Sequence, residues 1–106
     1  GGEGIQPEEV ERVIGAHPWI QQIFIVPQDD AEFGQRPVAV VECGEHYDPS
    51  ALACWCADKL ARFQLPVRWL RLPESLKTGG IKISRRALRD WVNQQAIPGS
   101  DALDVQ

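Results

Sequence analysis

The sequence predicts a small α+β domain: an antiparallel three-stranded sheet with helices packed on it, preceded by the remnant of an N-terminal β-hairpin. Three observations lead there. Stretches with apolar residues at helical spacing alternate with short β-branched runs, and prolines stand at most of the junctions between them. The first two β-branched runs, Ile20 to Val26 and Pro37 to Val41, are joined by about ten residues, too few for a helical crossover between parallel strands. At 106 residues and 43% apolar content with four tryptophans, the chain is one domain's worth and can build one modest core.

Taken in order, Gly1-Gly2-Glu3-Gly4 is turn sequence and ordered chain begins at Ile5. A turn at the start has nothing before it to pair with, so the first strand of a hairpin is expected upstream and the sequence looks cut from something longer. Pro7 fits the first position of a helix and Glu8 and Glu9 complement its positive end. Val10, Val13, Ile14 and His17 share one stripe, and Pro18 stops it. Ile20 to Val26 reads as a strand ending at Pro27, Asp29-Asp30 to Gly34-Gln35 as turn, and Pro37 to Val41 as the second strand. Asp48-Pro49 opens a helix on which Leu52, Trp55, Cys56, Lys59, Leu60 and Phe63 recur at helical spacing until Pro66. Val67 to Leu72 alternates as a third strand. Ser84 can cap a last helix from Arg85 to about Gln94 that gathers Leu88, Trp91 and Val92 on one face, and residues 96–106 have no period and read as a frayed tail.

Composition narrows the function classes. No apolar run approaches the ~20 residues that a membrane span needs, and the N-terminus resembles no signal peptide, so a cytoplasmic chain without a membrane partner is expected. Cys43, Cys54 and Cys56 are odd in number, and Cys54-x-Cys56 faces two directions on a helix, which favours reduced thiols over a metal site. The net charge of −4 hides an asymmetry: residues 66–89 hold seven basic groups against Glu74 alone, while the remainder holds four basic against fourteen acidic. A local basic face on an acidic protein suits a small phosphorylated ligand better than a long nucleic acid. Arg86 and Arg89 serve equally well as a solvated helix face.

One stretch stands out chemically. In Leu76-Lys77-Thr78-Gly79-Gly80-Ile81-Lys82-Ile83-Ser84-Arg85 a glycine pair permits a tight reversal, and Ile81 and Ile83 then turn to one face while Lys82 turns to the other. An ammonium so held can meet a phosphoryl oxygen or a developing negative charge. Composition alone leaves Lys82 open between that role and a structural surface lysine. His17 beside Pro18 reads as a helix end, and Asp29-Asp30-Ala31-Glu32 as solvated turn chemistry. Gly1-x-x-Gly4 holds Glu3 where an RNA-binding GxxG loop needs basic character.

Three motifs in order then resemble one family, the adenylate-forming enzymes, which include acyl-CoA synthetases, luciferases and peptide-synthetase adenylation domains. Gly2-Glu3-Gly4-Ile5-Gln6-Pro7-Glu8-Glu9-Val10-Glu11 is similar to the motif that opens their C-terminal domains. His17-Pro18 and Asp30-Ala31-Glu32-Phe33-Gly34 match the middle elements, and Lys77-Thr78-Gly79-Gly80-Ile81-Lys82-Ile83-Ser84-Arg85 resembles the closing motif. One departure from the family matters: Ile81 stands immediately before the lysine, where glycine is usual.

The resemblance implies that residues 1–95 are the mobile C-terminal domain of an acid-CoA ligase, with ATP and CoA as co-substrates and Mg²⁺ held mainly by an N-terminal domain of the same parent chain. It implies Lys82 as the catalytic lysine of adenylation, Gly79, Gly80 and Arg85 on the nucleotide side, and Gly2, Glu3 and Gly4 as a CoA-facing loop. No metal ligand is expected in this chain, the partners are the parent's N-terminal domain and small molecules, and the fragment alone is expected to be inactive. The rival reading is a small nucleic-acid or protein-interaction module using the basic face of residues 66–89.

Overall fold

The computed structural model describes residues 5–32, 34–45, 47–76 and 83–95. They fall into two compact units, divided between Leu72 and Pro73.

The first unit begins with Ile5, buried, and α1 (Pro7–Ile14). Gln6 gives no side-chain cap, so the helix start rests on the preset φ of Pro7 and on Glu8 and Glu9 in the first turn. Val10 and Ile14 are fully buried, and burying such a side chain contributes about 1.5–3 kcal/mol. Gly15 closes the helix with its N–H on the Glu11 carbonyl at 2.8 Å. It is glycine for space: a Cβ there would lie 2.9 Å from the Glu11 carbonyl oxygen and 3.3 Å from Ile23 Cγ2.

β1 (Gln22–Asp30) and β2 (Gly34–Glu42) pair antiparallel, from Gln22 opposite Glu42 to Asp30 opposite Gly34. Orientation is as expected, but β1 does not end at Pro27; it runs on to Asp30. The reason lies in the pairing of Pro27 with Pro37. The Pro37 carbonyl accepts the Val67 N–H at 2.9 Å, so Pro37 turns its polar groups toward the third strand and Pro27, opposite it, turns its own toward the outer edge. Neither proline removes a bond of the β1–β2 ladder. The hairpin closes at Gly34, whose φ of +86° favours glycine, and Asp30 Oδ1 accepts the Glu32 N–H at 2.8 Å.

α2 (Pro49–Cys56) starts as its sequence dictates, with Asp48 Oδ1 accepting the Ala51 N–H at 3.2 Å. It is shorter than the expected stripe to Phe63. The Ala57 N–H bonds back only three residues, to the Cys54 carbonyl, and the chain passes through turns into a 3₁₀ segment at Arg62–Gln64, where Gln64 Oε1 accepts the Ala61 N–H. Leu52, Cys56 and Leu60 are buried, whereas Phe63 is 53% exposed.

β3 (Arg68–Arg71) pairs with β2 in parallel, Val38 opposite Arg68 through Val41 opposite Arg71. The α+β class stands, but the sheet is mixed, with order β1-β2-β3, and the expectation of a wholly antiparallel sheet is corrected. The connection from Glu42 to Arg68 contains α2 and meets the dozen or more residues a parallel crossover needs. Val38 to Val41 of the central strand are all fully buried, as a strand covered on both faces should be. Ile5, Val10, Ile14, Ile25, Ala39 and Val41 join Cys43, Cys56 and Leu60 in one cluster. The hairpin remnant expected at the N-terminus lies outside the described residues, as does the tail at 96–106.

The second unit contains a 3₁₀ turn at Glu74–Leu76 and α3 (Arg85–Gln95), with Leu88 and Val92 buried. Ser84 caps α3 as its position predicts: its Oγ accepts the Ala87 N–H at 3.2 Å and its carbonyl accepts the Leu88 N–H at 3.1 Å.

Candidate functional site

The residues that the sequence singles out sit at the two ends of the chain. Lys82, Gly79 and Gly80 at one end, and Gly2, Glu3 and Gly4 at the other, lie outside the described residues. Their flanks are described. Before the lysine stretch the Leu76 N–H donates to the Pro73 carbonyl at 3.0 Å, which closes the 3₁₀ turn. After it come half-buried Ile83, the Ser84 cap and Arg85, exposed at the first position of α3. On the other side Ile5 is buried and Pro7 starts α1, so the chain is anchored immediately after Gly4.

Three side-chain arrangements of the first unit were not legible in the sequence. Glu11, read only as the last residue of a motif, reaches from α1 to β1, where its Oε2 accepts the Ile25 N–H at 2.7 Å. His17, read as a helix end, is 9% exposed and stands edge-on to Trp19 and Trp55, with centroids at 5.0 and 4.9 Å. Its Nδ1 accepts the Trp19 backbone N–H at 3.0 Å, so the hydrogen of a neutral ring is left on Nε2. Arg71, at the end of β3, donates to the Gly44 carbonyl and lies 5.5 Å from the centroid of the Tyr47 ring, tying β3 to the loop before α2. The partners in all three cases are distant in sequence or lie across a turn, which no local period reports.

Electrostatics in this unit follow burial. Loss of solvent pushes up the Cys43 thiol and the Tyr47 hydroxyl, and the Arg71 guanidinium opposes both shifts without cancelling them. Burial likewise raises the Cys56 thiol, against the pull of Lys59. Lys59 itself lies 4.3 Å from the Trp55 ring centroid and donates to the Trp55 carbonyl at 3.1 Å. Burial thus favours the protonated form of both buried thiols. All three cysteines are free, and Cys54 is the exposed one.

Among the described residues no helix is long and apolar enough to cross a membrane. Residues 9–82 match the model of the family described as the AMP-binding enzyme C-terminal domain. The chain is 68% identical over 92 residues to the 2-succinylbenzoate-CoA ligase of Salmonella typhimurium, covering 87% of this chain and 20% of that protein. It superimposes with a TM-score of 0.79 and 60% identity on wild-type E. coli MenE with a bound m-phenylether-linked analogue of OSB-AMS, over 90% of this chain and 20% of that one. A third likeness, at TM-score 0.72 and 28% identity over 85% of this chain and 19% of the other, is to o-succinylbenzoate CoA synthetase from Bacillus subtilis in complex with the acyl-adenylate intermediate OSB-AMP. The chain thus spans about a fifth of the length of the relatives it matches.

Proposed function

The chain belongs to the family of AMP-binding enzyme C-terminal domains, and on that premise we propose that it is the C-terminal domain of a 2-succinylbenzoate-CoA ligase, a cytoplasmic enzyme of menaquinone biosynthesis. The observation that carries the reading is the extent of the match to the Salmonella ligase, 92 residues and 87% of this chain. Supporting it are Phe33 to Val40, Lys59 to Trp69 and Gly79 to Arg85, stretches that resemble the enterobacterial form of that enzyme.

The reaction has two halves. The acid's carboxylate attacks the α-phosphorus of ATP, expelling pyrophosphate and leaving an acyl adenylate; the thiol of CoA then attacks the acyl carbon and AMP departs. In the first half Lys82 neutralises charge gathering on the α-phosphate and carboxylate oxygens, for which a point cation on a constrained turn is suited. Gly79 and Gly80 before the lysine and Arg85 behind it are assigned to the nucleotide side. In the second half the domain, residues 1–95, rotates against its N-terminal partner, withdraws Lys82 and turns the Gly2-Glu3-Gly4 loop toward the CoA thiol's channel. Among the described residues no three His, Cys, Asp or Glu side chains converge to hold a metal ion. The family resemblance, not this absence, assigns Mg²⁺ and most of the ATP and acid contacts to the N-terminal domain of the parent chain.

The test separates the halves. In the full-length parent Lys82→Ala should lower adenylation, read by pyrophosphate release with 2-succinylbenzoate and ATP, by on the order of 10²–10³. Thioester formation from supplied acyl adenylate should change far less. Equal losses in both halves would sink the assignment, as would measurable adenylate formation by residues 1–106 alone.

A further inference from the structure

Among the described residues β1 is one of the two outer strands of the sheet, and a nine-residue edge strand is a place where another strand can add. The register shows which of its groups face outward. Because Pro27 turns its backbone to the edge, so by the two-residue period do Ile23, Ile25 and Asp29. Each is closed in a different way. Ile23 lies against the end of α1 at Gly15, Pro27 has no N–H to offer, and Asp29 is an exposed charge. At Ile25 the N–H is taken by the Glu11 carboxylate at 2.7 Å. A proline and a charge are permanent obstacles, whereas the Glu11 contact holds only while α1 stays seated.

The segment behind that contact, Gln22-Ile23-Phe24-Ile25-Val26, carries no charge and no proline and is mostly β-branched or aromatic. Such a segment pairs well with a copy of itself. We propose that Glu11 is a latch on the sheet edge, holding α1 over Ile25 so that Gln22–Val26 cannot add the same segment of a second copy of this chain. This use of Glu11 is independent of Lys82 and of the ligase reading.

Three variants test it: Glu11→Ala, Glu11→Gln, which keeps an oxygen acceptor, and Asp48→Ala, which removes a helix-capping carboxylate away from the edge. Self-association is followed by light scattering at matched folded fraction, and amide exchange by NMR at Ile25 and at Phe24, whose amide faces β2. Glu11→Ala should associate at least about tenfold faster than Asp48→Ala, and its Ile25 amide should accelerate at least about tenfold more than that of Phe24, with Glu11→Gln between it and the wild type. Equal association of Glu11→Ala and Asp48→Ala, or equal acceleration at Ile25 and Phe24, would overturn the latch. If Glu11→Ala does not fold, Glu11→Asp, which shortens the reach by one methylene, takes its place in both measurements.

Discussion

Gly15 shows how one hydrogen atom can decide a packing contact. Helix propensity alone favours alanine over glycine by up to about 1 kcal/mol, but the added Cβ would press on the Glu11 carbonyl oxygen at 2.9 Å and on Ile23 at 3.3 Å. Overpacking should win, and Gly15→Ala should destabilise the fold by about 1–3 kcal/mol in urea unfolding. A neutral or stabilising result would mean that α1 can shift on β1 at little cost. At this scale the sequence is legible where the determinant is local. The Ser84 cap can be read directly and is present in the structure, whereas the roles proposed for Lys82 and for Gly2 to Gly4 rest on motifs at both ends alone. Glu11, His17 and Arg71 could not be read so, because Ile25, Trp55 and Gly44 reach them only through the tertiary fold.

Elements were legible at their starts more than at their ends. Pro7, Asp48-Pro49 and Ser84 begin α1, α2 and α3, and in two of the three a side-chain oxygen caps the helix. α2 is only eight residues long, and so short a helix has little hydrogen bonding to spare. Loss of the Asp48 cap should therefore cost about 1 kcal/mol, read as a lowered urea midpoint for Asp48→Ala; an unchanged midpoint would mean that Pro49 alone suffices. The ends were misjudged where tertiary contacts override a periodic pattern: α2 stops at Cys56 although its stripe runs on to Phe63, and β1 continues through Pro27. The antiparallel direction expected of β3 fails because that strand is reached through a helix. Connection length, which correctly oriented β1 and β2, carries the opposite message for β2 and β3.

For the molecule as a whole, the α+β class was legible from alternating periods, but the division at Leu72 and Pro73 was not, since only one proline marks it. The global property most open to test is alkaline stability. Cys43, Cys56 and Tyr47 all have their neutral forms favoured in the fold by burial. Between the unfolded and folded pKa of each group the native state binds more protons, so stability falls as pH rises. The contribution of the thiols is complete below the ordinary thiol value of about 8.5 and is lost as the pH climbs through their raised folded values. Urea midpoints should therefore decline above about pH 8.5, and the Cys43→Ala, Cys56→Ala double variant should decline less steeply. A midpoint that rises between neutral and alkaline pH would contradict the sign.

The division also distributes the indoles unevenly. Trp19, Trp55 and Trp69 belong to the first unit, two of them in edge contact with His17, while Trp91 alone belongs to the second. Intrinsic fluorescence is thus a two-channel reporter already written into the chain. Replacing Trp91 with phenylalanine leaves an emission that belongs to the first unit, and the difference from the parent spectrum belongs to the second.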